Sequence, residues 1–197
     1  MASPIFKSFE ADQQRTTETI AKDIFGKIIQ KSQYIGDVYS ISYESALVLI
    51  HDRFRMDVGG IPSLSFLIAT RVNPEHPVDF KLEDASVLLL RVMDAAPLPN
   101  AMEAERVRVE TAQRVSGETD IHWDDISSMD ATTHHIFSFA GVKCRVIGTF
   151  FLDQLPSGVD SNELELRFGS DISNYYPNRG LKVYKPNAQA LELVVNY

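Results

Sequence analysis

The chain has 197 residues, with 19 Lys or Arg against 27 Asp or Glu, so its formal net charge is −8 with neutral histidines. An apolar fraction of 44% with only 10 glycines and 9 prolines excludes collagen-like, low-complexity and wholly disordered chains. The acidic balance disfavours a dedicated nucleic-acid binder, because such proteins usually carry a basic surface.

The cysteine content and the lengths of the apolar runs indicate in which cellular compartment the protein is expected. The single cysteine, Cys144, can form neither an internal disulfide nor a thiolate zinc site. No secretory signal precedes the first polar stretch, so we expect a cytoplasmic protein. The longest apolar runs, over 46–50 and 87–90, fall far short of the roughly 18 residues of a membrane helix, and no membrane partner is expected.

The first predicted element is a short amphipathic helix between Glu10 and Phe25, so that residues 1–25 form a helical extension. Its apolar residues recur at helical spacing, at Ile20, Ala21, Ile24 and Phe25. Residues 26–197 then read as one β domain.

Strand patterns begin directly after this helix. They predict strands over 26–31, 37–51, 63–72 and 85–93. The second is too long for one flat strand, so we expect it to bend near Glu44 and Ser45, as strands of small barrels do. Gly59, Gly60 and Pro62 predict a loop over 53–62.

The clearest local prediction is a helix from Asn100 to Gly117, within a helical insertion near 99–133. Asn100 followed by Glu103 has the form of a capping box, and Gly117 is well placed to end the helix. The polar residues 116–133 that follow are predicted to be a surface excursion.

The last third of the chain predicts further short strands. A hairpin over 136–152 turns at Ala140-Gly141, and three strands follow over 162–168, 181–184 and 191–195. Because the strands and helices do not alternate as βαβ units, the predicted fold class is mainly β: a small antiparallel β-barrel or sandwich with inserted helices. The last strand runs to Tyr197 without a polar tail, which predicts that the chain is cut from a longer protein.

Glycine-rich nucleotide motifs are absent from the sequence. A Walker A loop needs Gly, four residues and Gly-Lys-Ser/Thr, and Gly26-Lys27 does not satisfy that spacing. Gly59-Gly60 lacks the third glycine of a dinucleotide fingerprint and predicts a turn. We therefore expect no cofactor in this chain.

Two histidine-containing clusters could suggest a metal or acid-base site. His134 and His135 are neighbours, and on a strand they would point to opposite faces. The run from His122 to Asp125 is more typical of a capped turn. Cys144 lies in an apolar strand and predicts a buried, inert thiol. We expect no catalytic, cofactor-binding or metal-binding residue, and no enzyme activity of this chain alone.

Several segments nevertheless resemble a known family. They are residues 36–38 (GDV), 42–52 (SYESALVLIHD), 60–70 (GIPSLSFLIAT) and 173–197. The first three resemble the N-terminal barrel of HerA-like ATPases, and the fourth looks like the stretch that leads into the ATPase core of bacterial anti-phage members. The resemblance covers most of the chain from about residue 26 onward.

The resemblance implies a role rather than an activity. In that family this region is a β-barrel related to the N-terminal barrels of the F-type ATP synthase α and β subunits, and it carries no ATP site. ATP, magnesium and DNA would be bound by an ATPase domain that this sequence lacks. The full-length protein would be a homohexameric DNA translocase whose barrel caps the ring and docks an effector, either a nuclease or a sirtuin-like NAD hydrolase.

Two other functions stay open: an independent OB-like nucleic-acid-binding or protein-interaction module, and a small enzyme using His122 or Asp124. For a protein partner, the predicted interface is Phe54, Met56 and Ile61, since interfaces favour aromatic residues, Met and Arg. The alternative is that these side chains only cover one end of the barrel. The acidic stretch 118–130 is the next candidate surface.

Overall fold

Seven strands form the framework of the structure, which is a computed structural model. It describes residues 17–73, 75, 76, 78, 86–115, 138–154, 164–170 and 180–196. The strands are β1 (Tyr34–Ile41), β2 (Ser45–His51), β3 (Phe66–Thr70), β4 (Ser86–Ala96), β5 (Phe139–Gln154), β6 (Leu164–Gly169) and β7 (Lys182–Tyr184). The helices are α1 (17–26), α2 (Asp52–Asp57), α3 (Ala101–Val115) and α4 (Ala188–Asn196), with a 3₁₀ turn at Lys31–Gln33.

Six of the strands close into an antiparallel barrel. The order is β2-β1-β7-β3-β4-β5-β6, and β2 also pairs with β5, which closes the ring and leaves β6 outside it. The first half of β5 pairs with β2, whereas its end pairs with β6. The prediction of a mainly β fold with a small antiparallel barrel is therefore confirmed.

The long strand β5 passes from the barrel to β6 through an irregularity. Leu89 pairs with Gly148 and Leu90 with Val146, so that Ile147 is left without a partner on β4. A Cβ at Gly148 would lie only 2.5 Å from the carbonyl oxygen of Gly169. A bulge and a glycine at this corner allow one strand to serve two pairings.

Two separate apolar clusters hold the fold, one inside the barrel and one outside it. Adjacent strands β3 and β4 contribute to both, because Leu67 and Leu88 point inward whereas Ile68 and Leu89 point outward. The outer cluster is covered by α1 and α4, whose buried members are Ala21, Phe25 and Ala190. Burial on both faces explains the uninterrupted apolar run over 87–90.

The predicted bent strand over 37–51 is wrong in detail, because it is two strands that form a hairpin. Residues 42–44 make the turn, where the Ser42 backbone N–H donates to the Ser45 carbonyl over 2.8 Å and the Ser42 hydroxyl accepts from the Ser45 N–H over 3.1 Å. The chain changes direction at the predicted place, but it reverses rather than bends.

The predicted hairpin at Ala140-Gly141 is also wrong, because residues 139–154 are one continuous strand. Gly141 is required by close packing between strands: a Cβ there would lie 2.2 Å from the carbonyl oxygen of Ala96 on β4. The glycine marks a tertiary contact rather than a turn.

Two further predicted strands are wrong. Residues 26–31 form the end of α1, a turn and the start of the 3₁₀ turn, and Ile28 and Ile29 are buried in the outer cluster. Residues 191–195 lie in α4, whose first turn is capped by Asn187: its side-chain oxygen accepts from the Ala190 N–H over 2.8 Å. This cap outweighs the strand preference of the Val194-Val195 pair.

The remaining local predictions agree with the structure or lie outside it. Helix α3 and strands β3, β4, β6 and β7 occur where they were expected, with ends displaced by a few residues. The excursion 116–133, His122 to Asp125, His134 and His135 fall outside the described residues. Among the described helices, none is long and apolar enough to cross a membrane.

Candidate functional site

The first half of the predicted interface segment is a short helix rather than a loop. Helix α2 begins after His51, whose Nδ1 accepts from the Arg53 backbone N–H over 3.1 Å. Within the helix, Arg55 donates to the Asp52 carboxylate over 2.6 Å. This local capping and pairing explains why the segment turns helical directly after β2.

Helix α2 ends in a Schellman motif made by its two glycines. Gly59 and Gly60 have φ of 72° and 87°, a left-handed conformation that costs glycine little. The Gly59 N–H donates to Met56 over 3.0 Å and the Gly60 N–H to Arg55 over 2.8 Å. The turn predicted at this glycine pair is present.

The three predicted interface residues have three different environments. Met56 is 69% exposed. Phe54 is half-buried, and its ring lies 5.1 Å from that of Tyr34 and 5.4 Å from that of His51. Ile61 packs against the cluster inside the barrel. Of the three, Met56 is the most accessible to a partner, while Ile61 contributes to the packing of the inner cluster.

Lys185, which the sequence did not single out, holds this segment in place. Its Nζ donates to the carbonyl oxygens of Val58 and Gly60, each over 2.8 Å. Its backbone N–H donates to Gln33 over 2.8 Å. The carbonyls of Val58 and Gly60 lie in the turn just after the C-terminal end of α2, where a cation also interacts favourably with the helix dipole. Lys185 thereby joins β7 to the α2 segment.

A pocket of about 580 Å³ opens between α2 and the outer face of β1 and β7. Aromatic rings line one part of it: Phe54, Tyr34 and Tyr184, with 5.8 Å between the centroids of the two tyrosine rings. These rings meet edge to face, an arrangement that aromatic pairs favour. The pocket therefore has an apolar region within a polar surface.

Charged groups of both signs line the rest of the pocket. Lys31 donates to the Glu75 carboxylate over 2.8 Å, and this hydrogen bond with Lys31 lowers the pKa of Glu75. Lys182 from β7 and Asp57 from α2 also line the pocket. The charge of Lys182 also contributes to the lowered pKa of Glu75, and Lys182 stands opposite Asp37 in the pairing of β7 with β1. Asp57 makes no ion pair with the part of the chain that the structure describes.

The two tyrosine hydroxyls of the pocket differ. The Tyr34 hydroxyl donates to Asp37 over 2.7 Å, and burial, followed by this bond, raises the pKa of Tyr34. Tyr184 is only 4% exposed, and its hydroxyl has no hydrogen-bond partner among the described residues. Burial, with the nearby Asp37 and Glu75 charges, raises the pKa of Tyr184 and keeps its hydroxyl protonated.

Cys144 points into the barrel and is fully buried. Desolvation raises the pKa of its thiol to about 12, so it stays protonated and unreactive near neutral pH. The prediction that this thiol is buried is confirmed. Within the described ranges, no group of three or more His, Cys, Asp or Glu side chains could hold a metal ion.

Comparison with known proteins gives no family assignment. No protein-family model matches the chain, and no curated protein is significantly similar to it.

Proposed function

We propose that this chain is the non-catalytic N-terminal barrel of a HerA-like ATPase. The observation that carries the proposal is the closed antiparallel barrel of six strands, the architecture that the resemblance of residues 36–70 implies. The barrel caps a hexameric ring and docks an effector protein, a nuclease or a sirtuin-like NAD hydrolase, in anti-phage defence. ATP, magnesium and DNA are bound by the ATPase domain.

The docking surface of this proposal is the exposed side of α2. Met56 is 69% exposed, and Arg53 and Arg55 beside it are exposed as well. Met and Arg are enriched in protein interfaces. Two features make the helix rigid before binding: the Schellman motif at its end and the two hydrogen bonds from Lys185. A preformed surface loses little conformational entropy when a partner binds.

The proposal has a direct test in the coding sequence downstream of Tyr197. We expect an in-frame Gly-x-x-x-x-Gly-Lys-Ser/Thr motif. A stop codon directly after Tyr197 contradicts the proposal. If the motif is found, the full-length protein is then co-expressed with the nucleases or sirtuin-like enzymes that are encoded beside it. We expect one of these enzymes to co-purify with the hexamer of the full-length protein.

A titration with fluorescent single-stranded DNA separates this proposal from an OB-like nucleic-acid-binding module. An OB-like binder needs a basic groove and aromatic rings on which bases stack. With a formal charge of −8, we expect this chain to show no salt-dependent DNA binding. Tight binding that weakens steeply with salt would favour the OB-like module.

A further inference from the structure

The pocket beside α2 has the size and the mixed lining of a small-molecule site, independently of the proposed docking function. Its volume of about 580 Å³ lies within the roughly 300–1,000 Å³ typical of ligand pockets. Along it, the ring of Tyr34 meets those of Phe54 and Tyr184 edge to face. The face of an aromatic ring attracts cations as well as hydrocarbon groups. The aromatic part of the pocket is therefore compatible with either kind of group.

The charges around the pocket leave one carboxylate without a counter-ion. Lys31 forms an ion pair with Glu75 over 2.8 Å. Lys182 stands opposite Asp37 in the pairing of β7 with β1, and its charge also acts on Glu75. Both lysines therefore already face carboxylates. Asp57, which lines the pocket from α2, makes no ion pair with the part of the chain that the structure describes. The charge that a ligand can balance is thus negative.

The Tyr184 hydroxyl points to a ligand that donates a hydrogen bond. Tyr184 is 4% exposed and lines the pocket, and its hydroxyl has no hydrogen-bond partner among the described residues. Buried hydroxyl groups are nearly always hydrogen-bonded in folded proteins. The negative charges of Asp37 and Glu75 act on this hydroxyl. In that potential a cationic N–H donor is the favoured partner for the hydroxyl oxygen, and a carboxylate is disfavoured.

We propose that this pocket binds an organic monocation, a primary ammonium group on an apolar or aromatic body. The ammonium donates to the Tyr184 hydroxyl, its charge is balanced by Asp57, and the apolar body packs against the ring of Phe54. A free arylalkylamine and the lysine side chain of another protein both carry this chemistry, and the experiment separates these two sources.

The test uses 2-phenylethylamine and three related probes, measured by calorimetry on the whole chain at low salt. 2-Phenylethanol has no charge, 3-phenylpropionate has a negative charge, and N,N,N-trimethyl-2-phenylethylammonium keeps the positive charge without an N–H. We expect 2-phenylethylamine to bind, and the neutral and anionic probes to bind at least about tenfold more weakly. The trimethylated probe should bind several-fold more weakly. Absence of 2-phenylethylamine binding at millimolar concentration, or binding no tighter than that of 2-phenylethanol, overturns the proposal.

A lysine mimic identifies the source of the ammonium group. Nα-acetyl-L-lysine N-methylamide presents the side chain as a protein would. Tighter binding of 2-phenylethylamine supports a free amine as the ligand, and tighter binding of the lysine mimic supports a lysine of another protein.

Two charge variants at exposed residues should change the affinity in opposite directions. Asp57→Asn removes the unbalanced carboxylate and should weaken 2-phenylethylamine binding several-fold. Lys31→Met removes the cation that is paired with Glu75 and should tighten it several-fold. The matched control is Asp94→Asn, because Asp94 is an exposed carboxylate on β4 that does not line this pocket.

A third variant tests the hydrogen bond to the tyrosine. In Tyr184→Phe, the primary and the trimethylated ammonium should bind equally, because the hydroxyl that distinguishes them is gone. Affinities in Asp57→Asn and Lys31→Met that equal the wild-type value, with unchanged melting temperatures, contradict the proposal even if Tyr184→Phe fails to fold.

Discussion

The outer wall of the barrel has one side covered by helices and one side with exposed charged residues. On β3 and β4 the outward residues Ile68, Val87 and Leu89 are buried beneath α1 and α4. On β1 and β7 the outward residues include Asp37 and Lys182, which stay exposed beside α2. The same closed barrel thus has one side that is covered by helices and another that keeps charged side chains exposed. Tyr184 lies at the border, because its ring belongs to the outer cluster and it also lines the pocket.

The largest expected effect comes from a matched pair of leucine truncations. Leu89 on the covered side is 3% exposed, so Leu89→Ala should lower the free energy of unfolding by about 2–5 kcal/mol through lost burial and a cavity. Leu47 faces outward on β2, which neighbours β1, and it is half-buried and lies outside the outer cluster, so Leu47→Ala should cost about 1 kcal/mol or less. Urea denaturation measures both, and equal losses would mean that the two sides do not differ.

The next effect tests how the α2 segment is held. Lys185→Met removes two charged hydrogen bonds to Val58 and Gly60 and should lower the free energy of unfolding by about 1–3 kcal/mol. Limited proteolysis should show faster cleavage near residues 58–60. The control is Lys182→Met, because Lys182 is exposed. The free energy of unfolding of this variant should stay within about 0.5 kcal/mol of the wild-type value. Slow cleavage in Lys185→Met would show that other contacts hold the segment.

A smaller effect concerns the helix that covers the wall. Asn187→Ala removes the side-chain cap of α4 and should cost about 0.5–2 kcal/mol in the free energy of unfolding. Asn187→Asp retains a capping oxygen and should restore most of that loss. If the Ala and Asp variants are equally destabilised in urea, the cap is not the cause.

The smallest effect on stability is expected at the exposed side of α2. Met56→Asp should change the free energy of unfolding by less than about 0.5 kcal/mol, because Met56 is 69% exposed. It should nevertheless abolish co-purification with the effector of the proposed function. Met93→Asp, at a residue that is 43% exposed on β4, should leave co-purification intact. Loss of the partner in both variants would place the interface elsewhere.

The sequence predicts the elements whose signals are local. The capping box at Asn100 predicts α3, alternating apolar residues predict β3, and the glycine pair Gly59-Gly60 predicts a turn. These signals act within a few residues, so they do not depend on the rest of the chain.

The failed predictions depend on contacts that are distant in sequence. The local sequence predicts a turn at Gly141, but the glycine is needed for close approach to Ala96 on another strand, a contact that the local sequence does not reveal. Residues 191–195 resemble a strand in composition, and burial against the outer cluster is equally compatible with a helix. The pocket could not be predicted, because its side chains come from Lys31, Phe54, Glu75 and Tyr184, and only folding brings them together.

Both sides of the outer wall exist only if the pairing of β2 with β5 closes the barrel, and the accessibility of the Cys144 thiol measures that closure. Cys144 faces the interior of the barrel and pairs in register with Ala46 on β2 and Val92 on β4. It is the only cysteine of the chain. Its thiol is shielded when β2 and β5 are paired, and burial raises its pKa to about 12.

The most direct measurement is the rate at which a thiol reagent such as 5,5′-dithiobis(2-nitrobenzoate) modifies Cys144 at pH 8, with and without urea. Burial raises the pKa of Cys144 in the folded chain above that of an exposed thiol, which is about 9, so ionisation of the thiol favours the unfolded state. The folded chain therefore loses stability only as the pH rises above about 9, and pH 8 lies below that range. A closed barrel predicts modification only as fast as the chain unfolds or opens, and a rate that rises with urea through the unfolding transition. Modification of the native chain at the rate of the unfolded chain would contradict the closed barrel.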